Sequence, residues 1–239
     1  RSTFYGAWFS TVKIKLTHPI GVDKQGQRSY NKLINNKESE GKMPNWCNNN
    51  ITIKGPKAKL EKILEQSKSD NVGLLNHFMK MPEELSETTA NGETRPELEK
   101  KYGFSDWYGW ANNNWGTKWN VYANDFYPED PKVELSEDDN YEAQLSFGFD
   151  TAWAPPIGAY ENYLAENEDV TIRASYFEGG MDFMGIWEDY DDAEYTISDV
   201  TDEQLETEPD MMYLEDMYNI LESREMYREE LKEQETENA

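Results

Sequence analysis

Two carboxylates stand beside turns rich in tryptophan, proline and glycine: Asp150 just before Trp153-Ala154-Pro155-Pro156, and Glu178 just before Gly179-Gly180-Met181. Such a pair can divide the roles of acid and base when its two pKa values are pushed apart. Asp150 also has a simpler use, as the cap of a helix opened by Pro155 and Pro156, where its charge meets the positive end of the helix dipole. Capping demands less and is the preferred reading. Lys118, within Trp115-Gly116-Thr117-Lys118-Trp119-Asn120, becomes a base or nucleophile only if it is desolvated, and a lysine beside a strand edge is ordinarily solvated. Cys47 has no histidine or basic residue near it in sequence, so nothing lowers its thiol pKa and it reads as a small packed residue. The tryptophans Trp107 and Trp110, three apart, and Trp115 and Trp119, four apart, offer flat faces on which sugars or bases can stack. At those spacings, burial in the core is the first expectation.

Other chemistries lack their residues. No Ser/His/Asp arrangement or phosphate-cradling glycine loop is present. One cysteine and two histidines, His18 and His77, argue against a four-cysteine zinc site, an iron–sulfur cluster or a histidine metal centre. The acidic run Glu188-Asp189-Tyr190-Asp191-Asp192 lacks the alternating ligands and central glycine of a calcium loop. No cofactor is therefore expected. The 239 residues carry a net charge of -25, unevenly shared: residues 1–42 hold eight Lys or Arg against three Asp or Glu, net +5, which leaves -30 for residues 43–239. A body so acidic repels phosphate backbones, so direct nucleic-acid binding is disfavoured. The apolar runs are shorter than the about 20 residues of a membrane helix. With no signal-peptide pattern at the start, the expectation is a cytoplasmic protein with no membrane partner.

The elements that must position these residues can be read from periodicity. A short strand over 50–54 leads through Gly55-Pro56 into a helix over 56–67, with Leu60, Ile63 and Leu64 on one face. Residues 70–104 lack sustained periodicity and read as a surface insertion, part of a longer one over about 70–115, with one short helix near 96–102. The Trp107/Trp110 spacing suits a helix ending near Asn114, followed by a strand over about 118–123. Leu145, Phe147 and Phe149 alternate as a third strand; Pro155-Pro156 opens a second helix with Ile157, Tyr160, Tyr163 and Leu164 on its apolar face. A fourth strand over 170–177 is followed by the Gly179-Gly180 turn and a closing hairpin, 183–187 returning through 195–197. The order β-α-β-β-α-β with an added hairpin predicts an α+β split β-α-β sandwich, an antiparallel sheet with helices on one face. Beyond residue 200, Thr201-Asp202-Glu203-Gln204 matches a capping box, and the chain restarts at Pro209. Tyr213, Met217, Ile220, Arg224, Tyr227 and Leu231 then form one helical stripe in a tail, 201–239, with fourteen acids and three bases, net -11. Packing against the domain or a partner is expected of it, because an isolated helix of that length is marginal in water.

Five colinear motifs carry a resemblance: Met43-Pro44-Asn45-Trp46-Cys47-Asn48-Asn49-Asn50; Leu75-Asn76-His77-Phe78 with Met81-Pro82-Glu83-Glu84-Leu85; Trp115 to Asn120; Phe149-Asp150-Thr151-Ala152-Trp153-Ala154-Pro155-Pro156; and Tyr176-Phe177-Glu178-Gly179-Gly180-Met181. Over residues 43–190 the chain resembles the YubB-like family of uncharacterised phage and plasmid proteins. The resemblance implies a ferredoxin-like domain over 43–200, a name for topology and not for an iron cluster. The motif residues it marks as binding candidates are Asn45, Trp46, Asn48, Trp115, Gly116, Thr117, Lys118, Trp119, Asp150, Trp153, Pro155, Pro156, Glu178, Gly179 and Gly180. Met43 then reads as the native start, with residues 1–42 as translation of upstream DNA; the competing reading is a genuine basic arm with a strand over 11–16. The functional expectation is a non-enzymatic accessory protein of a mobile element that binds an unknown protein. In sharper form it is an acidic decoy of nucleic acid that occupies a basic, nucleic-acid-binding host protein. The alternative is an enzyme or small-ligand binder using loops 115–120, 150–156 and 178–181.

Overall fold

The computed structural model describes residues 45–237, so the strand expected over 11–16 and the Met43-Pro44 start lie outside the described residues. The centre of the fold is β1, Trp46–Gly55, in which Cys47, Asn49, Ile51 and Ile53 are buried while the residues between them are only half-covered. It is twice as long as the five residues expected. Asparagine is a poor strand former, and the run Asn48-Asn49-Asn50 hides the strand from sequence patterns. Tertiary hydrogen bonds overcome the propensity: Asn49 Nδ2 donates to the Cys47 carbonyl at 2.8 Å and to Thr151 Oγ1 at 2.8 Å.

Six strands form one antiparallel sheet in the order β2-β3-β1-β4-β5-β6. They are β1, β2 (Glu134–Leu135), β3 (Ala143–Ala152), β4 (Thr171–Glu178), β5 (Phe183–Glu188) and β6 (Asp191–Thr196). β3 and β4 flank β1 and both run antiparallel to it, so they run parallel to each other with β1 between them. The connecting helix spans Ile157–Glu166. The closing hairpin is present as β5 and β6.

Three expectations about the middle of the chain are corrected. No strand forms over 118–123; a loop runs there into a single 3₁₀ turn, Ala123–Asp125. The Asn120 side chain pins this loop, its Oδ1 accepting from the Leu75 and Val121 backbone and its Nδ2 donating to the Val72 carbonyl. Among the described residues the second strand is instead the two-residue β2 at a sheet edge. The insertion is also more ordered than expected. In chain order the helices before β2 are α1 (Lys57–Ser67), α2 (Gly73–Phe78), α3 (Glu83–Ser86), α4 (Pro96–Tyr102) and α5 (Trp107–Asn114). Leu74, Leu75, Phe78 and Leu85 are fully buried, but helices of six and four residues are too short to show a period.

The inner sheet face, Ile51, Ile53, Leu145, Phe147, Phe149, Ile172, Ala174 and Tyr176, forms the main core with α1, α2 and α6 (Ile157–Glu166). The outer face is not bare, which corrects the expectation of helices on one face only. The chain after residue 200 folds into α7 (Asp202–Thr207), α8 (Pro209–Tyr218) and α9 (Ile220–Glu237), with Thr201 and Gln204 forming the expected capping box. Asn219, at φ 50°, breaks the single stripe between α8 and α9. α8 lies against β5; Met211 and Leu214 are buried, as are Met184 and Ile186 on the outer face. Tyr218 closes the contact, its hydroxyl 3.0 Å from Ser175 Oγ and its ring stacked on Phe177 at 5.5 Å. Arg224 ties α9 back through Asp202 at 2.7 Å and the carbonyls of Ile197 and Val200.

Because Leu214 is fully buried in this outer layer, Leu214→Ala should cost about 2–5 kcal/mol. Urea unfolding followed by far-UV circular dichroism should show the midpoint fall; an unchanged midpoint would mean that α8 is not held by the sheet.

Candidate functional site

The start of β1 and the ends of β3 and β4 meet at one end of the sheet, as the pairings Trp46↔Ala152 and Asn48↔Phe177 show. The loop after α5 joins them, because Thr117 Oγ1 donates to the Ala152 carbonyl at 2.9 Å. Gly116, at φ 92°, makes the close approach possible: a Cβ there would lie 2.9 Å from the Pro155 carbonyl. All the motif loops singled out in the sequence therefore converge.

Many of these residues are occupied within the fold. Trp115 is 4% exposed and donates its Nε1 to the Met79 carbonyl at 2.8 Å, edge-on to Trp110. Pro155 and Pro156 are buried, and Pro156, not Asp150, precedes α6. The Asn45 carbonyl accepts from Trp153 N at 2.9 Å, and its amide lies against Gly180. Glu178 is 2% exposed and turns back to accept from the backbone of Gly180 and Met181, which closes the turn through Gly179. Burial raises the Glu178 pKa, with the two backbone donors acting in the opposite direction.

Both roles considered for Asp150 are corrected. It lies within β3 opposite Asn48, so it cannot cap α6. Nor does it face Glu178: Asp150 and Phe177 both sit directly across from Asn48, and the residue after Phe177 points to the opposite sheet face. Asp150 Oδ1 instead accepts from Asn48 Nδ2 at 2.7 Å and from Tyr127 OH at 3.3 Å. The Tyr127 ring occupies space that only a glycine leaves open, since a Cβ on Gly148 would come within 1.9 Å of it. Burial raises the Asp150 pKa and these two donors partly offset it; burial and the neighbouring Asp150 charge push the Tyr127 phenol up as well. Cys47 is fully buried and its thiol is raised by burial and then by Glu178 and Asp150, which leaves it un-ionised and unreactive. His77 is half-buried against Tyr163, and burial, then the Lys62 charge, lower its pKa.

The remaining motif residues form a surface cluster. The Lys118 ammonium lies 4.1 Å from the ring centre of Trp119, 5.5 Å from Trp153 and 5.8 Å from Tyr108. Trp46 leans on Trp119 at 5.9 Å. Tyr108, Tyr127 and Tyr218 carry no sequence pattern that marks them, and only the small residue Gly148 in β3 leaves the room that the Tyr127 ring fills. A separate cavity of about 350 Å³, lined by Leu164, Glu168, Val170, Asp189 and Tyr190, opens at the other end of the sheet, where β4 begins. Among the described residues no group of three or more His, Cys, Asp or Glu is placed to hold a metal, and no helix is long and apolar enough to cross a membrane. In comparisons with known proteins, no family model, curated protein or solved structure matches the chain.

A carboxyl whose folded pKa lies above its unfolded value of about 3.9 contributes stability at low pH that is lost as pH rises through the folded pKa. Asp150→Asn keeps an acceptor oxygen for Asn48 and Tyr127 but cannot ionise. The variant should match or exceed the parent in urea midpoint at neutral pH, and should depend less on pH above about 4. A variant that loses stability most at neutral pH would show that the ionised carboxylate is the favoured form.

Proposed function

We infer that the chain is a non-catalytic accessory protein of a phage, plasmid or other mobile element, acting in the bacterial cytoplasm by binding another protein. One observation carries the non-catalytic part: apart from Lys118, whose ammonium lies among rings with no second acid or base in those contacts, the groups able to do acid–base or nucleophilic chemistry at the motif loops are spent on the fold. Glu178 closes a turn, Asp150 is bonded on the outer sheet face away from it, Thr117 holds a strand end and Cys47 is sealed in the core. Catalysis needs such groups to converge on one point that a substrate can reach.

The membership proposed with this function is the YubB-like family, and the topology proposed is ferredoxin-like. The order β2-β3-β1-β4, with α1 and α6 against the inner face, supports that topology; β5 and β6 extend the sheet beyond it. The proposed partner is a basic, nucleic-acid-binding host protein. The net charge of -25 supports it, since a field of that size speeds encounter with a basic groove and discourages nucleic acid itself.

The chain beginning at Met43, immobilised and exposed to lysate of a bacterial host, should retain basic nucleic-acid-binding proteins at low salt. Duplex DNA should compete them away, and raised salt should release them. Retention of nothing, or retention indifferent to both DNA and salt, would overturn the decoy reading.

A further inference from the structure

We propose that the ring cluster around Lys118 is a binding site for a small, uncharged saccharide. Tyr108 and Trp119 are each 38% exposed, and Trp153 and Trp46 are half-buried beside them. These side chains come from four separate places in the chain: the start of β1, α5, the loop after α5 and the loop after β3. Trp153 holds a backbone φ of 69°, which side-chain-bearing residues seldom adopt. Lys118 forms no ion pair among the described residues, in a chain with 48 acids. Its ammonium is held by rings instead, an attraction of about 0.5–1 kcal/mol at an exposed site. So weak a hold leaves its N–H donors easily redirected to a ligand oxygen.

Size, charge and chemistry together select the ligand. A stable protein interface covers about 800 Å² on each partner, far more than two partly exposed rings and their neighbours present. Lys118 supplies the single charge among these ring contacts: it is too little to hold a polyanion against the net charge of -25, and the contacts include no carboxylate to pair with a cation. What fits is a neutral molecule with a flat C–H face to lie on an indole or phenol ring and oxygen acceptors for an ammonium. A neutral sugar ring has both.

Saturation-transfer NMR on the full chain tests this, with soluble neutral oligosaccharides of glucose, mannose, galactose and N-acetylglucosamine as probes. A sulfated oligosaccharide and a proline-rich decapeptide serve as the contrasting probes. At least one neutral series should receive transfer at its ring C–H protons, and Trp119→Ala should weaken that binding about tenfold or more with the circular dichroism spectrum unchanged. Should Trp119→Ala fail to fold, Tyr108→Ala carries the same expectation. Absence of transfer to every neutral series, binding that survives both substitutions, or binding confined to the sulfated sugar or the peptide would each overturn the proposal.

Discussion

β1 is bonded on both sides, to β3 along all of Trp46–Gly55 and to β4 from Asn48 to Lys54, and the rest of the molecule takes its position from that strand. A strand so placed has no free edge, and its two faces must each find a cover. Its alternation sends Cys47, Asn49, Ile51 and Ile53 inward. It sends Asn48, Asn50 and Thr52 outward, where they meet polar partners from β3 and β4. Slipping the register by one residue would exchange the two sets, bury three polar side chains and expose the aliphatic ones. That constraint explains why a run of asparagines can occupy a central strand: Asn49 satisfies its amide N–H donors inside, leaving only its Oδ1 without a partner, and Asn48 meets Asp150 outside.

The two covers differ in kind. Inside, α1, α2 and α6 close a large aromatic and aliphatic core. Outside, a smaller layer from α8 buries Met211 and Leu214 over β5, and Tyr127 and Tyr218 lie over polar strand residues. Tyrosine suits that duty, since its ring covers area while its hydroxyl reaches a polar partner. The same arrangement decides the electrostatics at the sheet end. Asp150 and Glu178 sit close along the chain order of the sheet yet face opposite ways, so each is a local structural acceptor instead of half of a pair.

Much of the fold was legible in the sequence, and the reasons differ by element. The alternation of Leu145, Phe147 and Phe149, the apolar stripe of α6, the hairpin after Gly179-Gly180 and the capping box at Thr201 each follow from local spacing, and each is present. What failed did so where local preference and tertiary contact disagree. The pattern predicts too short a β1 because of its asparagines, and it predicts a strand over 118–123, where Asn120 bonds the chain to α2 instead. The helices of the insertion were too short to carry a period. The motif loops meet at one end of the sheet, while individual residues take other roles than the sequence suggests: Asp150 does not cap α6, and of tryptophans that read as one class, Trp115 is core and Trp119 is surface.

By itself the sequence determined the charge the protein carries and the α+β character of its elements. These depend on residue types and on spacings of two to four residues. Only the tertiary structure decided which side chains meet: that Asp150 faces away from Glu178, that the tail covers the outer sheet face, and that Tyr108, Lys118, Trp119 and Trp153 gather at one point. Those outcomes rest on strand register and loop closure across tens of residues, where a shift of one position reverses the face a side chain occupies, and no local pattern encodes such a choice.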